Sequence, residues 1–171
     1  MAESIVFFVH GKPQTAGSRS FFGFAKSGKA IIAPANKHQK SWQDAVRIEA
    51  KRAFAETPPM ECPVTLVTLW SIPRPKSHFR TGKNSKLLRT DAPIACAVEP
   101  DEDKLQRALR DALTGVAWKD DALVACCFSC KIYVTATSPG VAVRILRYHC
   151  SHGIAVESFL TGPRATGTLS M

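Results

Sequence analysis

Half of the fourteen carboxylates in this chain lie between Glu99 and Asp121, and the rest of the sequence is strongly basic. The segment EPDEDKLQRALRDALTGVAWKDD sets Asp101 and Asp103 before an amphipathic repeat at Leu105, Ala108, Leu109, Ala112, Leu113 and Val116, and Asp120 and Asp121 after it. Apolar residues at this spacing predict a helix. Asp103 stands where an N-cap would, Gln106 occupies the capping-box position, and Gly115 fits the carboxyl end. A helix of about 12 residues is about 18 Å long. The two pairs of carboxylates therefore meet only if the next segment runs back along the helix. Brought together, they would suit a divalent metal.

The charge is unevenly spread. Residues 1–98 carry fifteen Lys or Arg against six acids, 99–121 carry four against seven, and 122–171 carry four against one. A polyanion bound beside a metal site accounts for both signs. Nucleic acid is the expected polyanion, because each phosphate neutralised by Lys or Arg releases a counterion whatever the base sequence. The competing reading is a charge distribution that serves solubility alone.

With 171 residues and 45% hydrophobic content, one domain with its own core is expected, and no internal repeat stands out. The apolar run Ile5–Val9 is too short to cross a membrane, lacks the basic flank of a leader, and reads as a first strand. Six cysteines in such a chain point to free thiols in a reducing cytoplasm, with no disulfide framework. Cys127 and Cys130, with His149, Cys150 and His152 downstream, raise a zinc site. Positions three apart on a strand face opposite ways, which weighs against it.

The expected order of elements begins with that strand. A glycine-punctuated hairpin or loop follows, carrying Lys12, Arg19, Lys26 and Lys29, and then a helix from about Lys37 to Glu56 with Trp42 in the core. A second strand is expected at Val64–Ile72. The run Arg74, Lys76, Arg80, Lys83, Lys86 and Arg89 lies in a long aperiodic loop, suited to tracking phosphates. After the second helix come strands at Ala122–Val134 and Val141–Arg147, joined as a hairpin. The domain is expected to span 1–148, with 149–171 as a flexible tail.

Each carboxylate has a simpler structural role open to it: Asp103 as a cap, Asp101 as a partner of the helix dipole, Asp120 and Asp121 as turn formers. An EF-hand is excluded, since Leu105 would fall at a ligand position and Gln106 where glycine is needed. No nucleophile elbow, phosphate-binding glycine loop or dinucleotide fingerprint is present.

Asp101-Glu102-Asp103-Lys104-Leu105-Gln106-Arg107, then Asp111-Ala112-Leu113, then Gly115 and Trp118-Lys119-Asp120-Asp121, resemble the signature of the RusA family of Holliday junction endonucleases. That pattern is D-x-D-N-L-x-K, then D-A-L, a short turn containing glycine, and an aromatic residue shortly before D-D. The resemblance implies an α+β domain with a mixed sheet of four to five strands and two main helices. It implies a homodimeric endonuclease that resolves four-way DNA junctions by paired nicks and depends on Mg2+, with Mn2+ as a substitute. Asp101, Asp103 and Asp121 would hold the metal, and Arg107 falls where the family has its functional lysine. Asp111 and Asp120 would support this set, Asp111 either by orienting Arg107 or only as a helix salt bridge to it. DNA would be held by Lys12, Arg19, Arg74, Lys76, Arg80, Lys83, Lys86 and Arg89. Lys104 in place of Asn and Arg107 in place of Lys depart from the pattern, the latter exchanging a point charge for a planar fork. A bacterial or phage-infected host cytoplasm is the implied setting. The alternatives are a DNA-binding protein without catalysis on the same fold, and a nuclease for flaps or other branched DNA.

Overall fold

The computed structural model describes residues 4–17, 19–34, 36–135 and 138–148. The expected tail at 149–171 lies outside the described residues, as do His149, Cys150 and His152.

The chain begins with β1 (Ser4–His10) and continues through a hairpin of β2 (Arg19–Phe24) and β3 (Ala30–Pro34) into α1 (Gln39–Phe54). Then come β4 (Val64–Pro73), a long connection with two short 3-10 turns, α2 (Glu102–Leu113), β5 (Val124–Val134) and β6 (Gly140–Arg147). The main sheet is mixed, in the order β1-β6-β4-β5, and β2 with β3 forms a separate two-stranded sheet. This is the expected α+β architecture. No helix among the described residues is long and apolar enough to cross a membrane.

Alternation along β4 buries Val64, Leu66, Thr68, Trp70 and Ile72, as a strand with one core face should. The α1 stripe Trp42, Val46, Ala50 and Phe54 packs into the same core, with the Trp42 and Trp70 rings 6.0 Å apart. Gln43 on α1 donates to the Ala108 carbonyl of α2 at 3.1 Å, so a buried polar bond as well as apolar packing fixes one helix against the other. On α2, Leu105, Ala108, Leu109, Ala112 and Leu113 are fully buried. The opposite side of that helix is left to carry charge.

The expected hairpin between the last two strands is corrected. β5 pairs with β4 in parallel, while β6 pairs antiparallel with β4 on its other side and with β1. The end of β5 and the start of β6 therefore lie on opposite sides of β4, with Val134 paired to Pro73 and Gly140 paired to Ser71. The cause is non-local: once α2 serves as the crossover between β4 and β5, those strands must run parallel. The open side of β4 then remains for β6. The basic loop is also more ordered than its composition implies, because Arg80 N–H reaches Leu87 O at 2.9 Å and Arg89 N–H reaches His78 O at 3.0 Å.

Candidate active site

Four hydrogen bonds fix the start of α2. Asp101 is the N-cap, with extended backbone (φ −62, ψ 135), and its carbonyl accepts from Leu105 N–H at 3.1 Å. Asp103 thus lies inside the first turn, which corrects its expected capping role. Neither is Gln106 part of a capping box, since its side chain turns to the sheet. Lys131 on β5 donates to the carbonyls of Val98 at 2.9 Å and Pro100 at 2.7 Å, pinning the residues just ahead of Asp101. On the other side, Ala16 N–H reaches the Lys104 carbonyl at 3.0 Å. The glycine-rich loop after β1 is thereby tied to the helix.

At the far end, Gly115 takes a positive φ of 80° and its N–H bonds Trp118 O at 2.7 Å. Met60 brackets the turn, donating to Ala117 O and accepting from Lys119 N–H. Trp118 is fully buried there, so its packing sets where the next residues begin. Asp120 caps a 3-10 turn at Asp121–Leu123 by accepting from Ala122 N–H at 2.8 Å. Asp120 is thus a turn former, while the Asp121 side chain makes no hydrogen bond or ion pair among the described residues. From Val124 the chain runs back along β4, which supplies the return that the sequence alone left open.

Asp103, Asp111 and Asp121 consequently line one cleft of about 610 Å³ with Arg107 and Arg110. Glu102 and Gln106 from the helix, and Cys127 and Ser129 from β5, complete its wall. Partial burial first, and then the charge of Asp121, push the Asp111 carboxyl up from its ordinary value, against the pull of Arg107 and Arg47. Burial likewise pushes the Cys127 thiol up, opposed by the neighbouring Arg110. Asp101 stands apart, bordering an adjacent cleft of about 540 Å³ that also includes Lys12 and Tyr133. Its carboxylate pairs with Lys104 at 2.6 Å. That lysine first, and Lys131 more weakly, hold Asp101 below the usual carboxylate range. The chemistry of the acids in the first cleft, hard oxygens under mutual repulsion, fits a divalent cation. No three His, Cys, Asp or Glu side chains stand together as a metal site among the described residues.

Arg107 reaches across to the loop. A methyl group on Gly17 would stand 2.7 Å from its Nη1, and Gly17 takes a φ of 101° that favours glycine. The glycine therefore makes room for the guanidinium. Cys127 and Cys130 sit on a regular part of the β5 ladder, and alternation sends them to opposite faces, only Cys127 meeting the cleft.

The basic residues divide by what they touch. Lys76, Lys83 and Lys86 are exposed and make no ion pair among the described residues. Arg89 is held bidentately by Asp91 at 3.0 and 2.8 Å, and Arg80 donates to Leu88 O at 3.2 Å. Arg74 donates to Pro93 O at 2.7 Å and stacks over Tyr133, so it supports the loop. The Arg19 side chain lies outside what is described. Sequence reasoning did not single out Arg110 or Lys131, nor Gln106 and Cys127 as cleft residues. The helical spacing of Arg110 from Arg107 was the one available signal.

An α+β domain whose acidic cleft carries two arginines, in a strongly basic chain, has the makings of an enzyme acting on phosphate esters. The family model described as Endodeoxyribonuclease RusA matches residues 12–146, and the chain belongs to that family. A search of curated proteins finds no match.

Proposed function

We propose that this protein is a structure-selective endonuclease that cuts four-way DNA junctions with paired nicks and uses a divalent cation, Mg2+ or Mn2+, at Asp103 and Asp121, with Asp101 joining them. The supporting observation is one cleft in which Asp103, Asp111 and Asp121 share a wall with Arg107 and Arg110, within a chain of formal net charge +9. Exposed Lys76, Lys83 and Lys86 would hold the DNA backbone and bring a phosphodiester to the cleft. A bound divalent cation would make a water more acidic and offset charge on the phosphate. Arg107, directed by the space at Gly17, would stabilise negative charge as it builds on the phosphate oxygens. Asp111 would hold that guanidinium in place. Asp101 would need release from Lys104 to take part.

Paired nicks need two centres in fixed relation, which a two-fold homodimer provides. β5 is an edge strand and Phe128 on it is 61% exposed, whereas Tyr133 is core. Phe128 is thus the better candidate for the dimer surface. Light scattering should return about twice the 18.6 kDa chain mass. Mixed dimers of active and Asp103→Asn subunits should give singly nicked junctions, and a monomer making both cuts in one encounter would contradict the proposal.

A further inference from the structure

We infer that Arg110, oriented by Thr68 through Gln106, is a second phosphate-contacting cation of the cleft, acting beside Arg107 on the DNA strand. This rests on the endonuclease reading and adds a substrate contact to it.

Two side-chain atoms of the cleft are shielded from solvent and have no hydrogen-bond partner among the described residues: the acceptor Gln106 Oε1 and the donor Arg110 Nε. Buried polar groups are rarely left so. Residues 106 and 110 are one turn apart on α2, close enough for their side chains to meet. One lacks a donor and the other lacks an acceptor.

The orientation of Gln106 follows from the sheet. Its Nε2 donates to Thr68 Oγ1 at 2.6 Å, and the Thr68 hydroxyl is directed at the Phe128 carbonyl at 3.5 Å. Since Thr68 gives its proton to Phe128, it accepts from Gln106, and Oε1 is the free end of the amide. Both residues are buried, Thr68 at 2% and Gln106 at 7% exposure.

Arg110 makes no ion pair among the described residues although the cleft holds four carboxylates. A charge left unpaired in such a setting is available to a ligand of opposite sign. A side-chain rotation that bonds Nε–H to Gln106 Oε1 would satisfy both orphaned atoms and leave the outer fork of the guanidinium free. That fork matches two oxygens of a phosphodiester.

The test uses the full chain and a labelled four-way junction, first without divalent cation. Arg110→Ala should lower the slope of log affinity against log salt by about 0.9, the loss of one duplex phosphate contact. With Mg2+ its KM should rise about tenfold or more. Arg110→Lys, which keeps the charge and the helix, should hold the slope but still raise KM. Gln106→Leu should raise KM, and Gln106→Glu, which restores an acceptor oxygen, should recover most of the loss. An unchanged slope in Arg110→Ala, a wild-type KM in Arg110→Lys, or equal behaviour of the two Gln106 variants would overturn the assignment. Wild-type protein that binds junctions without cutting them would sink the endonuclease reading, and the slope would still decide Arg110. Wild-type protein that does not bind DNA would sink both.

Discussion

Replacing Gly17 with Ala tests whether the loop after β1 positions Arg107. The added methyl would lie 2.7 Å from Arg107 Nη1 and 3.5 Å from its Cδ, against an ordinary separation of about 3.5–4.0 Å. The loop cannot simply withdraw, because Ala16 is bonded to the Lys104 carbonyl at 3.0 Å. The guanidinium must therefore shift by about 1 Å, and a misplacement of that size costs about 100-fold in rate. The φ of 101° at Gly17 adds backbone strain of about 1–3 kcal/mol for alanine, or about 2–12 °C in Tm for a domain of this size. Steady-state cleavage of a labelled junction should show kcat down by about 100-fold in Gly17→Ala, with a cooperative melt retained. In an Arg107→Ala background the same substitution should lower kcat no further, since its effect on rate passes through Arg107, while the Tm loss from backbone strain remains. A wild-type kcat in Gly17→Ala, or full additivity of the two changes, would refute this reasoning.

Lys104→Asn should let the Asp101 carboxyl return toward its ordinary value, because Lys104 is the main cause of its depression. The Mg2+ concentration for half-maximal cutting should then fall, and a rise would count against Asp101 as a cation partner. Asp111 is raised by burial and by Asp121, so in the cation-free protein its own contribution to stability should rise as pH falls toward 3.8, because it takes up its proton first in the folded state, opposite in sign to the lowered Asp91 and Asp101. Asp111→Asn should raise Tm at neutral pH, and its advantage over the wild type should shrink as pH falls, which thermal melts of both proteins across pH would measure. Replacing Lys83 and Lys86 with Ala should weaken binding to all DNA sequences alike and lower the salt slope by about 1.8 if each meets one phosphate. An unchanged slope would leave this loop to solvent.

Local chemistry was readable from the sequence, and long-range pairing was not. The spacing of Trp42, Val46, Ala50 and Phe54 gives α1, and that of Leu105, Ala108, Leu109 and Ala112 gives α2, because a helix writes its buried face into consecutive turns. The order of β5 and β6 does not follow from their own residues, since it depends on which side of β4 the α2 crossover occupies. Asp103 looks like a cap because Asp and Ser-type residues suit that position. The extended backbone at Asp101 moves the helix start two residues earlier. Gln106 fits a capping box by spacing, yet Thr68, 38 residues away, takes its amide. Lys131 and Cys127 reach the site only through the parallel register of β4 and β5. Asp103, Asp111, Asp121 and Arg107 were marked by the family motif, and the fold brings them to one cleft. Lys104, a departure from the motif, turns out to hold Asp101 by an ion pair.

The most direct measurement is cleavage of an end-labelled four-way junction, with cut positions mapped on all four strands, by wild-type, Asp103→Asn and Asp121→Asn proteins in Mg2+. The account predicts paired cuts at symmetric positions by the wild type and much weaker cutting of linear duplex. Both variants should still bind the junction, as tightly or more so, and make no cut. Full activity in Asp103→Asn, or equal cutting of junction and linear duplex by the wild type, would contradict it.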